Sequence, residues 1–363
     1  FIFLNFHLDF LQLYIYNQYA IIWEVYMGNT NKRNNTLRSF CITLFFGVIL
    51  IIGAVISNQF PDEVNNLIEE NLNIPAEENT TISVNTVGNT VVSADSKLQI
   101  YYFDVGQADS ILVMADDQTM LIDAGNNEDG PLLVGYLQGL GITKIDYLVG
   151  THPHEDHIGG LDDIINNFTI GKIYMPDATT TTSTFQSVLS AISQRGLSIT
   201  RCEIGSTFGI GDGICTIMSV ENEEQSNLNL NSIVIHLAYG DKTFLFMGDA
   251  EKEIESKIAW SKVDVLKVGH HGSDTSSTEK FINTVKPESA IISVGKNNSY
   301  SHPAKSTLDV LNKVGAKVYR TDEVGTILLT SDGKTYNIQT FFTALDGNSS
   351  TANINAPVEE TEQ

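Results

Sequence analysis

The sequence predicts an α/β fold of two packed sheets with helices on the outside, an αββα sandwich. Three observations lead there. The chain has 363 residues, enough for one large domain plus tails. Short apolar runs bounded by turn residues come in clusters, the pattern of strands. Helical stretches fall between those clusters.

Taken in order, strands are expected at 98–103, 110–114, 119–122, 147–150, 172–175, 233–237, 243–247, 263–268, 289–294, 317–319 and 326–330. Helices are expected at 130–140, 160–166, 183–195, 250–260, 278–285 and 306–314. The folded domain is therefore placed at 98–344. Ahead of it, 58–97 is acidic and rich in Asn and Thr, a flexible spacer, and 345–363 has the composition of a disordered tail.

The N-terminus has its own logic. Residues 1–26 contain no Met and read as upstream or non-native leader, with Met27 as the expected start. The run 40–56 is 17 residues without charge, and Lys32, Arg33 and Arg38 precede it. It is read as a cleaved signal or an uncleaved membrane anchor within 27–57, with the rest of the chain outside the cell. Cys41 lies in that run, which leaves Cys202 and Cys215 with one optional bridge and no disulfide framework.

The chemistry concentrates in Thr151-His152-Pro153-His154-Glu155-Asp156-His157, directly after an apolar strand. Three of the chain's eight His sit here. Alternation along an extended stretch points His152 and His154 the same way, fit to bind one ion. Asp156 and His157 follow the turn and can reach a second. A strand ending in Gly248-Asp249 offers a carboxylate whose two oxygens can bridge two ions, although capping of the next helix is the ordinary role for such an Asp. Another strand runs into His270-His271, one a ligand of the second ion and the other a contact to substrate or to the first. No CxxC pattern exists, so a thiolate site is not expected.

HxHxDH, then a strand-end GD, then a strand-end HHGS resembles the motif order of the metallo-β-lactamase superfamily. The elements Phe103–Ser110 (FDVGQADS), Ile122–Gly125 (IDAG), Ser293–Pro303 (SVGKNNSYSHP) and Tyr319–Asp322 (YRTD) narrow the resemblance to the hydrolase domain of the competence protein ComEC family. It spans roughly 98–339. It implies the metallo-β-lactamase fold, two divalent ions (Zn²⁺, or Mn²⁺), and a metal-activated water as nucleophile. Its implied ligands are His152, His154, Asp156, His157, Asp249, His271 and His270. Asp156 and His270 are also placed in catalysis, with His302 as a phosphate contact or general acid. Asp123, Asp104, Asn231 and Ser232 are expected to support the ligands. Ala108 and Ser301 replace glycines usual in the family. The third His that many members give the first ion is missing: Asn231-Ser232 stand there, and His236 reads as a structural strand residue.

The resemblance implies a phosphodiesterase, acting on DNA or on cell-wall teichoic acid. From Asn58 onward there are 42 acidic and 18 basic residues, poor for tracking a nucleic-acid backbone. A local rim of Lys267, Lys296, Lys305 and Arg320 is the expected exception. A lactone or β-lactam hydrolase and a non-catalytic binding module are the alternatives. The missing third His counts against the first, and the retained ligand set against the second. No protein partner is expected; the membrane is met only through 40–56 if that segment stays.

Overall fold

The structure is a computed structural model that describes residues 97–221 and 226–341. The leader at 1–26, the segment at 40–56, the spacer up to residue 96 and the tail at 345–363 lie outside the described residues. No helix among the described residues is long and apolar enough to cross a membrane.

One sheet contains β1 (Leu98–Tyr102), β2 (Ile111–Ala115), β3 (Gln118–Ile122), β4 (Lys144–Val149), β5 (Thr169–Met175), β6 (Ile199–Arg201), β14 (Thr326–Ser331) and β15 (Tyr336–Phe341). Its order is β15-β14-β1-β2-β3-β4-β5-β6. The other contains β7 (Thr207–Ile210), β8 (Gly213–Ser219), β9 (Val234–Tyr239), β10 (Lys242–Phe246), β11 (Val265–Lys267), β12 (Ser289–Ile292) and β13 (Lys317–Arg320). Its order is β13-β12-β11-β10-β9-β8-β7.

The period of two along each strand builds the layers. Ile111, Val113 and Ala115 of β2 join Phe244 and Phe246 of β10 in the core between the sheets. Leu112, the intervening residue, faces outward with Leu121 and Leu148. That outer face is covered by Leu133 and Leu137 of α1 (Gly130–Gly139), Ile164 and Ile165 of α3 (Leu161–Asn167), and Val188 of α4 (Ser183–Gln194). The outer face of the second sheet, Leu245, Leu266 and Ala290, is covered by Ile254 of α5 (Lys252–Lys257), Phe281 and Ile282 of α6 (Glu279–Val285), and Leu311 of α7 (Lys305–Lys313). The result is four layers, αββα, as the pattern of runs predicted. Two further helices are single turns, α2 (Glu155–Ile158) and α8 (Thr321–Val324).

Four strands escape the sequence pattern. β6 has three residues and no fully buried position. β7 and β8 form a hairpin in which Thr and Gly dilute the apolar alternation. β15 is an edge strand with no fully buried position, its apolar residues separated by Asn337, Gln339 and Thr340. Cys202 and Cys215 are both buried thiols in the central core, and burial pushes each up to about 12.

Candidate metal centre

Parallel pairing decides where the polar side chains meet. β3 and β4 run parallel in one sheet, and β10, β11 and β12 in the other. Their carboxyl ends deliver, in turn, Asp123, the stretch Thr151–His157, Asp249, His270-His271 and Ser293. Ligand sites of open α/β sheets belong at such ends. The local backbone is bent to match: Asp123, His270 and His271 hold φ of 59°, 48° and 51°. Non-glycine residues adopt this left-handed region at a cost of about 1–3 kcal/mol each, so the surrounding contacts must over-determine it. Gly248 takes φ 51°, and a Cβ there would stand 3.1 Å from Thr151 Cβ. It sets Asp249 against the His152 strand end.

Asp249 stands at the middle. Its Oδ1 lies 3.2 Å from His157 Nε2 and 3.8 Å from His271 Nε2. Its Oδ2 lies 3.6 Å from His270 Nε2 and 3.9 Å from His152 Nε2. His154 reaches the same side, with Nδ1 2.9 Å from His152 Nε2. Asp156 Oδ2 lies 3.4 Å from His271 Nε2 and 3.9 Å from His157 Nε2. The carboxylate thus faces two donor sets, one on each oxygen. Ligand atoms of His152, His157 and Asp249 lie within 4.8 Å of one another, as do those of Asp156, His157 and His271. His154 and His270 stand at the margin of these two groups. Asp249 does not cap the next helix; Glu251 holds that position.

The sequence left open which of His270 and His271 goes where. His271 turns into the His157/Asp156 set, and His270 into the His152 side, next to Glu251 Oε1 at 3.2 Å.

The charges are crowded. Burial opposes a proton on His157, yet Asp249, Asp123 and Asp156 outweigh it and hold its pKa well above the ordinary value. Burial opposes His271 likewise, but Asp249, Asp109 and Asp156 raise it to about 10. Burial drives His152 well below its ordinary value, helped by His157. Asp156 falls to about 2 because His157 and His271 outweigh its burial. This pocket attracts cations.

Behind the donors lies a second set of contacts. Asp123 Oδ2 accepts from His157 Nδ1 (2.8 Å) and from Thr151 Oγ1 (2.8 Å), and Oδ1 accepts from Thr151 N–H (2.8 Å). Ser232 Oγ accepts from Asp249 N–H at 3.1 Å. Asn231 instead donates to the Glu221 carbonyl at 2.6 Å and closes the preceding loop. Asp104 is placed away from the donors: its Oδ1 accepts from Gly106 N–H at 3.3 Å, a local turn, beside Asp129 and Asp322.

Sequence reasoning did not single out Asp109, Glu251, Asn229 or Thr275. Glu251 is buried and accepts from Asn229 Nδ2 (3.1 Å), Asn227 Nδ2 (2.9 Å) and Thr275 Oγ1 (3.0 Å). Its place two residues after Asp249 was the available signal.

The sequence pattern of the Metallo-beta-lactamase superfamily matches residues 103–296. The chain belongs to the metallo-β-lactamase superfamily. It is 33% identical over 254 residues to "ComE operon protein 3" of Bacillus subtilis (strain 168), covering 64% of this chain and 33% of that protein. It is 29% identical over 236 residues to "Recombination protein 2" of Haemophilus influenzae, covering 63% of this chain and 28% of that one. The chain spans about a third of the length of these curated relatives. Among solved structures it is similar to the metallo-β-lactamase fold protein YhfI from Bacillus subtilis, at 12% identity and TM-score 0.44, covering 61% of this chain and 96% of that one.

The superfamily fold implies divalent metal binding, and the residues present fit it. His157 Nε2, His271 Nε2 and Asp249 Oδ1 are buried, without a hydrogen-bond partner, and converge. Each buried polar atom left so costs about 1–3 kcal/mol, which a cation among them would offset.

The expected basic rim does not form. Lys267 is fully buried and paired with Asp109 at 2.7 Å. Arg320 is held by Asp322 and Glu323, and Lys305 by Asp309. Lys296 is exposed. His302 is half buried, its ring 5.6 Å from His270 and 5.6 Å from exposed Tyr300. Burial lowers its pKa, with His270 and His271 adding to the effect. The shift favours the neutral imidazole, which keeps one N–H to offer as a hydrogen-bond donor.

Proposed function

We propose that this chain is an extracellular metal-dependent phosphodiesterase. The observation that carries the reading is Asp249, whose two oxygens face two separate donor sets with three unsatisfied buried atoms among them. One side would be held by His152, His154 and His270, the other by Asp156, His157 and His271, with Asp249 common to both. When bound, divalent ions supply Lewis acidity that draws the pKa of a water from about 16 towards about 7.

The chain's own residues do the rest. Asp156 stays ionised at neutral pH and turns its partly open carboxylate to the mouth of the site, where it can orient an attacking water. His302 can donate a hydrogen bond to a phosphoryl oxygen. Asp123 keeps Nδ1 of His157 engaged, so that Nε2 faces the site. Buried walls exclude bulk water and strengthen every electrostatic contact.

The neutralised rim and the acidic chain favour a phosphodiester recognised locally, at an end or a small headgroup, over a long tracked backbone. A nucleic-acid terminus and a cell-wall phosphodiester both satisfy this. Two matched relatives are named "Competence protein ComA" of Neisseria gonorrhoeae and "Recombination protein 2" of Haemophilus influenzae, which favours the nucleic acid. Lys32, Arg33 and Arg38 ahead of 40–56 support the location outside the cell.

The test is hydrolysis of bis-p-nitrophenyl phosphate by the full chain with Zn²⁺ or Mn²⁺, beside His152→Ala/His154→Ala. Metal-dependent turnover lost in the double variant supports the reading. A folded, metal-loaded chain that leaves the ester intact but opens nitrocefin or a lactone overturns it.

A further inference from the structure

Lys267 is the anomaly of the second sheet. It is the last residue of β11 and fully buried; Leu266 faces outward, so Lys267 shares the inter-sheet side of the strand with Val265. Its ammonium donates to Asp109 Oδ2 at 2.7 Å and to the Val268 carbonyl at 3.0 Å. Asp109 is as deeply buried, at 1% exposure. Desolvating such a pair costs several kcal/mol per ion, and an apolar pair of similar volume is often as stable or more so. Stability alone is a weak reason for this pair.

Its position supplies another. Asp109 Oδ1 has no hydrogen-bond partner and lies 3.4 Å from His271 Nδ1. The Asp109 N–H donates to the Asp156 carbonyl at 3.1 Å. Its own carbonyl accepts from Gly125 N–H at 2.9 Å, two residues past Asp123. One residue therefore touches both His271 and Asp156. The third member of that set, His157, is already held by Asp123. His271 needs such help, because its backbone sits at φ 51° and the hydrogen bond of its Nδ1 goes to Ser293 O, at 3.0 Å, with the Asp109 carboxylate beside it. Lys267 fixes the Asp109 carboxylate and cancels its charge. Without the ammonium, a fourth carboxylate would stand uncompensated beside Asp123, Asp156 and Asp249.

We infer that the Asp109–Lys267 pair is a positioning device for the Asp156/His157/His271 side of the centre, and not for the His152/His154/His270 side. The inference rests on the two-sided reading of the centre given above. Neither residue touches substrate. Asp109 aims His271 and steadies the Asp156 turn, and Lys267 holds Asp109 in place.

The experiment is titration of the full chain with Zn²⁺ alone against a chromophoric chelator, with the thermal midpoint measured in parallel. His271→Ala and His154→Ala mark which binding step belongs to which side. Asp109→Asn and Lys267→Met are expected to weaken the step that His271→Ala removes by about 10–100-fold, and to spare the other. Either single change leaves a buried charge unpaired and also lowers the thermal midpoint. The double variant Asp109→Asn/Lys267→Met separates the two effects. It should regain much of the midpoint while the His271 step stays weak. A double variant that binds both ions as tightly as the unaltered chain overturns the inference and leaves the pair a structural one. Equal weakening of both steps in a folded variant overturns it as well. An unaltered chain that takes up a single ion instead defeats the two-sided reading itself, and that result is distinguishable because it needs no variant.

Discussion

The two donor sets on either side of Asp249 differ in how they are held. On the Oδ1 side, His157 is completely buried and His271 is 2% exposed at its side chain, each with a partner on its far nitrogen, and Asp156 is the open member at 32%. On the Oδ2 side, His152 is completely buried, but His270 is 22% exposed, with Glu251 3.2 Å from its Nδ1, and His154 is half buried, with His152 as its nearest ring nitrogen. A ligand already fixed by neighbours loses little entropy when an ion arrives; a mobile one loses more. The lesson is that one centre can contain a firm half and a yielding half. The Oδ1 side should keep its ion longer during dialysis, and the Oδ2 side should exchange first.

Asp249→Asn gives the largest effect, because it removes the charge common to both halves. We expect metal content near zero by elemental analysis and hydrolysis down by more than about a thousandfold, as several kcal/mol of charge stabilisation would be lost. If one ion remains bound at full strength, the carboxylate is not shared and the division into halves is wrong.

Asp123→Asn comes next, and it breaks the firm half from behind. Asp123 accepts three hydrogen bonds, from His157, Thr151 Oγ1 and Thr151 N–H. The change should cost about 2–4 kcal/mol by chemical denaturation, since a buried donor loses a charged acceptor. It should also weaken the firm step of a Zn²⁺ titration by about 10–100-fold. An effect confined to the exchangeable ion would reverse the comparison.

These two residues also show what a sequence can and cannot reveal. Asp249 and the HxHxDH stretch were visible because ligand residue types were packed densely at strand ends. The layers were visible because strands such as β2 and β10 are short apolar runs bounded by turn residues. Asp109 was not, because its role depends on Lys267, 158 residues away, and nothing local marks a buried Lys. Lys267 itself was misread as a rim residue, since Lys in a sequence suggests surface. The Glu251 cluster gathers Asn227 and Asn229 from one segment and His270 and Thr275 from another, a juxtaposition only the fold creates. β15 was missed because Asn337, Gln339 and Thr340 interrupt the apolar run that marks the other strands.

Removing metal sharpens the comparison through pH. In the metal-free protein, His157 and His271 have folded pKa values raised above the ordinary 6.5, His271 to about 10. Their protonation stabilises the fold fully below about pH 6.5 and is lost as pH rises through the folded values. His152 and His154 are lowered, so above pH 7 they are neutral in both states and contribute no slope. From pH 7 to 9 the chelator-treated domain should therefore lose stability, by at most about 1.4 kcal/mol per pH unit for each raised histidine. Ions must displace those protons, so metal affinity rises over the same range. Thermal scans with EDTA and with Zn²⁺ at both pH values should move in opposite directions. A metal-free midpoint that rises towards pH 9 would show that these histidines are not held protonated.

The smallest effect is expected from the yielding half. Glu251 lies 3.2 Å from His270 Nδ1 and gathers Asn227, Asn229 and Thr275 around it. Glu251→Gln keeps the shape but replaces one accepting oxygen with a donor, which faces the donor NH₂ groups of those asparagines. His270 is partly solvated, so water can take over part of the lost contact. We expect the exchangeable step of a Zn²⁺ titration to weaken by about tenfold, at the low end for a ligand's supporting contact, with the firm step unchanged. Equal weakening of both steps would mean that Glu251 supports Asp249 rather than His270. The two halves would then be mechanically joined through the turn after β10, and the contrast in their rigidity would carry no functional weight.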